Sequence, residues 1–153
     1  MKQPQFCQQC SEKLSNKKID HKERPYCNSC GFILFQDPKV AVVVLIQIKN
    51  KLVLVKRDIN PYIGHWSFPS GYVDRSEKVE NEAVREVKEE TGLDVEIERS
   101  LGSVNYWFVS SIDRVRYNKT VHFFLMNALG GSTANHDLEF DDVVWFTAEE
   151  AVR

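Results

Sequence analysis

The sequence predicts an α+β fold: a sheet with a buried strand and one prominent helix, preceded by a small cysteine-bound metal clip. Three observations predict it. All four cysteines fall within the first 30 of 153 residues. Residues 40–48 are almost continuously apolar and β-branched, the pattern of a strand buried on both faces. A Glu-rich segment with helical spacing then ends at Gly92, a natural C-cap. The length allows one domain plus a small appendage. A hydrophobic fraction of 42% and a charged fraction of 27% are those of an ordinary globular chain. A net charge of −2 gives no strong pull toward nucleic acid or membrane. No apolar run approaches the ~20 residues of a membrane span, and the polar N-terminus lacks a signal-peptide core. A cytoplasmic location is therefore expected, and no internal repeat is visible.

Residues 1–38 read as a metal clip. Cys7-x-x-Cys10 and Cys27-x-x-Cys30 are separated by sixteen residues, a spacing that fits tetrahedral zinc. Gly31 permits tight backbone geometry around the second pair. Two disulfides or a thioredoxin-like redox pair are the alternatives, and neither suits a cytosolic chain without a strand–helix context at the cysteines. Four thiolates fill the coordination shell, so this zinc is structural. Residues 1–39 hold seven Lys or Arg against four Asp or Glu, a weak footprint for nucleic acid, and none is expected as partner.

After the first strand, Lys49-Asn50-Lys51 reads as a turn and residues 52–57 as a second strand. Arg57 or Lys56 at its end can meet a phosphate, or be a solvated edge charge. Residues 58–64, with Pro61 and Gly64, read as loop. Trp66 and Phe68 alternate with polar residues and are expected in the core.

In the helix, Glu89 lies ~60° to one side of Glu86 and Glu90 ~40° to the other, with Glu82 in the same arc. A lone Glu-x-x-Glu is ordinarily a solvated face. Here the loop Pro69-Ser70-Gly71 brings backbone to the segment, and Arg85 is placed to orient a carboxylate. Like charges at this spacing destabilise a helix unless a cation offsets them, and a hard divalent ion takes oxygen ligands. Val84 and Val87 are expected to bury the helix on the sheet.

Downstream, Val95, Ile97 and Leu101 suggest one strand and residues 104–109 another. The latter run, Val104-Asn105-Tyr106-Trp107-Phe108-Val109, reads as core, with Tyr106 and Phe108 on one face able to stack a base. Residues 113–119 read as a polar loop containing Arg114, Arg116 and Lys119. Residues 120–126 and 143–146 read as strands flanking an acidic loop, and Thr147-Ala148-Glu149-Glu150 has capping-box spacing.

Gly71, Glu77, Arg85, Glu86, Val87, Glu89, Glu90, Gly92 and Leu93 match every fixed position of the Nudix box, glycine-x5-Glu-x7-Arg-Glu-apolar-x-Glu-Glu-x-Gly-apolar. From about Lys39 onward the chain resembles the Nudix hydrolases, and residues 1–38 resemble the zinc ribbon that precedes some of them, in which the second cysteine pair leads into an apolar strand and then Pro-Lys, here Ile33-Leu34-Phe35-Gln36-Asp37-Pro38-Lys39. The resemblance implies an α/β/α sandwich with a mixed β-sheet over residues 39–153. It also implies magnesium or manganese bound by Glu86, Glu89, Glu90 and the Ser70 carbonyl. Arg85 would hold Glu86, Glu77 would brace the loop, and Glu139, then Asp141, would supply the extra acidic group. Glu86, Glu89 and Glu139 are all candidate bases. Lys119 with the aromatics Tyr106 and Phe108 resembles the base and phosphate contacts of dinucleoside-polyphosphate enzymes.

The implied reaction is hydrolysis of a phosphoanhydride in a nucleoside diphosphate joined to a second moiety, of the ADP-ribose, NADH, FAD or dinucleoside-polyphosphate type. Nucleoside di- and triphosphates also stay open. So does a non-catalytic nucleotide sensor with a nucleic-acid-binding ribbon, although a sensor needs no complete box. Processing of messenger RNA 5′ ends would call for a larger basic surface. Nudix hydrolases of this size are often homodimers.

Overall fold

A computed structural model describes the chain apart from residues 1–3, 20, 21, 36, 37, 61, 75, 111–113, 115 and 153. Gln36, Asp37, Pro61 and Asp113, which entered the readings above, lie outside the described residues. The chain divides into two compact units: residues 1–38 with 107–118, and residues 39–106 with 119–153.

In the first unit, β1 (Ser15–Ile19) and β2 (Lys22–Tyr26) form an antiparallel hairpin, with Ser15 opposite Tyr26 and Ile19 opposite Lys22. Each end carries a cysteine knuckle, and the two knuckles repeat. The Cys7 N–H donates to the Glu12 carbonyl (2.7 Å) and the Ser11 N–H to the Cys7 carbonyl (2.9 Å). The Cys27 N–H donates to Phe32 (2.8 Å) and the Gly31 N–H to Cys27 (3.0 Å). Leu14 bonds back to Gln5 and Leu34 to Pro25 in the same relation. The expectation of no internal repeat is thus corrected. The repeat is carried by backbone bonds over about ten residues, and its sequence trace is the cysteines with Phe6 and Leu14 in one knuckle and Tyr26 and Leu34 in the other. Residues 33–35 do not extend as the apolar strand that the ribbon resemblance implied. Ile33 makes a single bridge to Tyr26, because the Leu34 N–H is committed to closing the knuckle.

Ser11 and Gly31 occupy equivalent positions, and both are left-handed, at φ 62° and 77°. Serine meets a steric cost there that glycine escapes, about 1–2 kcal/mol, partly offset by glycine's backbone entropy. Ser11→Gly is therefore expected to stabilise the ribbon by about 0.5–1 kcal/mol, and Gly31→Ser to cost about as much. The chelator concentration that unfolds the hairpin, followed by circular dichroism, should rise for the first variant and fall for the second.

The second unit holds the sheet. β3 (Lys39–Ile48) and β4 (Lys51–Arg57) are antiparallel, joined through Lys49, which takes the turn at φ 55°. β5 (Trp66–Ser67) pairs with β4, and β6 (Ser70–Tyr72) pairs with β3. Then come α1 (Val79–Thr91), β7 (Leu93–Val109), β8 (Arg116–Gly131), a single 3-10 turn (Thr133–Asn135), β9 (Phe140–Thr147) and α2 (Ala148–Ala151). The order is β5-β4-β3-β8-β7, with β9 also on β4. β3 and β8 are parallel, Lys39 opposite Lys119, so the sheet is mixed as expected.

Val42, Val44 and Ile46 of β3, with Val53 and Val55 of β4, are fully buried with Ala83 and Val87 of α1. The other face of β3 is only half-buried at Val43 and Leu45, where the apolar run read as buried throughout. The Thr147 capping box forms as its spacing predicts.

Three expectations are corrected here. Trp66 is 39% exposed and meets Phe146 edge-on, outside the core. Residues 95–101 and 104–109 are one strand, β7, and its aromatics are not core: Tyr106 and Trp107 are both exposed. Strand side chains project from the two faces of the sheet, so only a layer packed on a face buries them, and residues 98–107 are exposed on both faces. Arg116 and Lys119 stand in β8, not in a loop, with Arg116 stacked 4.8 Å over Trp107. Among the described residues no helix is long and apolar enough to cross a membrane.

Candidate catalytic and metal sites

The acidic site is built where β6 meets α1. The Val44 N–H donates to the Pro69 carbonyl (2.9 Å), and Val42 pairs with Gly71, so β3 fixes the loop that leads into the helix. A Cβ at Gly71 would fall on the carboxylate of Glu86, so any other residue there would displace that side chain. The Ser70 N–H donates to Glu90 Oε2 at 2.9 Å.

Glu90 is 7% exposed, and burial pushes its carboxyl up to about 8, against the pull of the Ser70 N–H. The charges of Glu86, Asp137 and Glu139 push in the same direction as burial. Glu86 is raised to about 7, by burial first and then by Glu82. Two carboxyls that hold protons near neutral pH, side by side on one helix, are a donor set suited to a divalent cation.

Arg85 binds three of the helix carboxylates. Its Nη1 donates to Glu89 at 2.6 Å and its Nη2 to Glu86 at 3.0 Å, while Nε and Nη2 both reach Glu82. Glu89 is thereby turned onto Arg85. Among the described residues, the four cysteines are the group whose ligand atoms already converge. The carboxylates share a face, and Arg85 offsets their mutual repulsion.

The far end of α1 brings in the acidic loop. Gly92 takes φ 70° and its N–H donates to the Lys88 carbonyl. The Ser132 N–H donates to the Gly92 carbonyl (3.2 Å), and the Asp137 N–H to the Glu89 carbonyl (3.1 Å). Gly92 and Gly131 lie back to back: a Cβ on the first would strike the Ser132 carbonyl, and one on the second the Gly92 carbonyl. Glu139 follows, its N–H held by Asp137 at 2.9 Å and its carbonyl by the Asp58 N–H at 3.1 Å. Glu139 thus stands with the acidic group, and Arg57 adjoins it across Asp58. Asp141 instead pairs with Lys56 at 3.2 Å.

Lys119 does not stand alone. Its Nζ lies 3.4 Å from the Tyr72 hydroxyl and 4.6 Å from that ring's centre, with Lys39 Nζ at 5.9 Å. Sequence reasoning passed over Tyr72, an exposed aromatic one residue after Gly71. Its signal was that position alone, because the pairing of β6 with β3 brings Lys39 to it and the pairing of β3 with β8 brings Lys119. Phe108 lies in the ribbon-bearing unit, 5.8 Å from Tyr117, and Tyr106 is exposed on β7.

The cysteines form a second centre. Their Sγ atoms all lie within 4.8 Å of one another, with Cys7 to Cys30 at 3.5 Å and Cys10 to Cys27 at 3.4 Å. Disulfides, at ~2.05 Å, are excluded at these separations. A zinc–sulfur bond of ~2.3 Å implies tetrahedron edges of roughly 3.8 Å, so the four sulfurs fit zinc. The backbone N–H of Cys30 leads in lowering Cys27 to about 7. Cys10 is pushed up to about 12, its Glu12 N–H outweighed by Cys27 and burial.

Comparison with known proteins agrees with this geometry. The family model for the NUDIX domain matches residues 36–153. An ADP-ribose pyrophosphatase of Methanocaldococcus jannaschii is 38% identical over 99 residues, covering 64% of this chain and 56% of that protein. The NAD-capped RNA hydrolase NudC of Pseudomonas aeruginosa is 28% identical over 145 residues, covering 94% of this chain and 48% of that one. The chain spans about half the length of these curated relatives. The crystal structure of a NUDIX hydrolase from Nitrosomonas europaea superposes with a TM-score of 0.75 at 26% identity, covering 96% of this chain and 80% of its own.

Proposed function

The chain belongs to the Nudix family, and on that premise we propose that it hydrolyses the phosphoanhydride of a nucleoside diphosphate joined to a second moiety. The observation that carries this reading is Glu90, buried beside the Ser70 N–H with Glu86 seated on Gly71. That is a costly arrangement of carboxyls unless a divalent cation uses it. Magnesium or manganese there would act as a Lewis acid and make a bound water nucleophilic. Glu86, Glu89 and Glu90, with the Ser70 carbonyl, are the proposed ligands. Arg85 holds Glu86 and Glu89 in place, and Glu139 is poised at the rim to accept a proton. Tyr72 and Lys119 are proposed to receive the base and a phosphate, with Arg57 as a further cation. The zinc ribbon is proposed to be structural.

Relatives named for ADP-ribose and for NAD-capped RNA point to adenosine diphosphate linked to a second group. The test is product release from ADP-ribose, NADH, FAD, diadenosine tetraphosphate, an NAD-capped oligonucleotide and nucleoside triphosphates, with and without magnesium. Magnesium-dependent release of a nucleoside monophosphate from a diphosphate-linked substrate is expected. Hydrolysis of nucleoside triphosphates alone, or binding without turnover, would overturn the proposal. Lys119→Met is expected to raise KM about tenfold with little change in kcat, the loss of one charge-assisted contact.

A further inference from the structure

Glu82 is not a fixed position of the box, yet it is the most deeply placed carboxylate of α1, with no exposed surface. It occupies the same helix as Glu86, one turn earlier, and takes two of Arg85's donors, Nε at 3.3 Å and Nη2. Arg85 itself is 41% exposed on its side chain, so its other contacts, to Glu86 and Glu89, do not fix it by packing. The geometry points to Glu82 as a positioning residue that anchors Arg85 and, through it, sets the Glu86 and Glu89 carboxylates. This inference rests on the metal-dependent hydrolytic reading above.

The physical reason is charge balance in a cluster that is buried at Glu82 and open at Arg85 and Glu89. With Glu82 ionised, the guanidinium is half committed before it meets Glu86 and Glu89, so a divalent cation competes for those two against a weakened rival. Glu77, in the loop ahead of α1, stands near Glu82, whose carboxylate pushes the Glu77 carboxyl up. If burial alone were the purpose, an apolar residue would serve beside Ala83 and Val87 without the expense of desolvating a charge. With a neutral residue at 82, Arg85 draws harder on Glu86 and Glu89, and metal affinity falls.

The test compares wild type, Glu82→Gln and the near-isosteric Glu82→Met, each alone and with Arg85→Ala. Manganese binding without substrate, by electron paramagnetic resonance, is read beside the magnesium dependence of turnover. Glu82→Gln is expected to weaken manganese binding 10–100-fold, as for other residues that orient metal ligands, at a melting temperature near wild type. In the Arg85→Ala background the same change is expected to have little further effect. Unchanged manganese affinity in Glu82→Gln, or in Glu82→Met should the glutamine variant not fold, overturns the assignment. So does an equal loss when Arg85 is already alanine. If wild type binds manganese but turns over no nucleotide, the hydrolytic reading fails while the binding comparison still decides the role of Glu82.

Discussion

Glu90→Gln is expected to lower turnover at least ~100-fold while making the magnesium-free protein more stable at pH 8. The two effects share one cause. Glu90 is buried with its carboxyl raised to about 8, from an ordinary value of 4.5. Its folded-state pKa lies above its unfolded one, so the folded state binds the extra proton. The associated stability is complete below about pH 4.5 and is lost as pH rises through about 8. Glutamine keeps an acceptor for the Ser70 N–H and never ionises. It should raise stability at pH 8 by about 1–2 kcal/mol, or roughly 3–6 °C for a domain of this size. Thermal melts at pH 5.5 and 8.5, in magnesium-free buffer without chelator so that the ribbon stays intact, measure the difference. Magnesium should raise the melting temperature of wild type at pH 8.5 and leave the variant unmoved. A variant keeping more than half its turnover would refute Glu90 as a ligand.

Removing zinc should unfold the ribbon outright. The hairpin of β1 and β2 has five residues per strand, and among the described residues of the ribbon the buried side chains include Cys7, Cys27 and Pro25. Metal binding worth ~10–16 kcal/mol in comparable small sites is then most of what holds residues 5–34 together. Four thiols within 4.8 Å cannot all ionise without a cation: against its Glu12 N–H, Cys10 is driven up by Cys27 and burial, while the Cys30 N–H lowers Cys27. Zinc uptake at pH 7 should therefore release protons, measurable in weakly buffered solution. Cys27→Ser, or a strong chelator, should abolish the dispersed amide signals of residues 5–34 and leave those of residues 39–106 in place. One zinc per chain is expected by elemental analysis. A chelated chain whose ribbon signals persist would end the structural-zinc assignment.

The helix, its carboxylate face and the cysteine pairs were legible because each rests on local spacing. Glu86, Glu89 and Glu90 share an arc by helix geometry alone, and Gly92 ends the helix because it can enter the left-handed region. The C-terminal cap at Thr147 follows from one four-residue pattern. What stayed hidden depends on partners far along the chain. Trp66 reads as core until β5 proves to be a two-residue edge. Asp141 reads as a free acid until the register of β4 with β9 sets Lys56 beside it. Tyr72 gains Lys39 through β3 and Lys119 through β8. Glu82 reads as a fourth member of the carboxylate arc, and its burial comes from the docking of α1 against β3 and β6. The knuckle repeat leaves a thin trace, an aromatic, two cysteines and a leucine, because hydrogen bonds more than side chains define it.

Gly92 and Gly131 carry a consequence for how this chain can evolve. Each is at positive φ, and each would clash with main chain, not with a side chain that could be trimmed by a second change. No swap at one site can relieve the other, so the pair is frozen jointly. Drift in the region must proceed around them, through the hairpin arm or the outer strands, while the spacing between the helix terminus and the acidic loop is inherited unchanged.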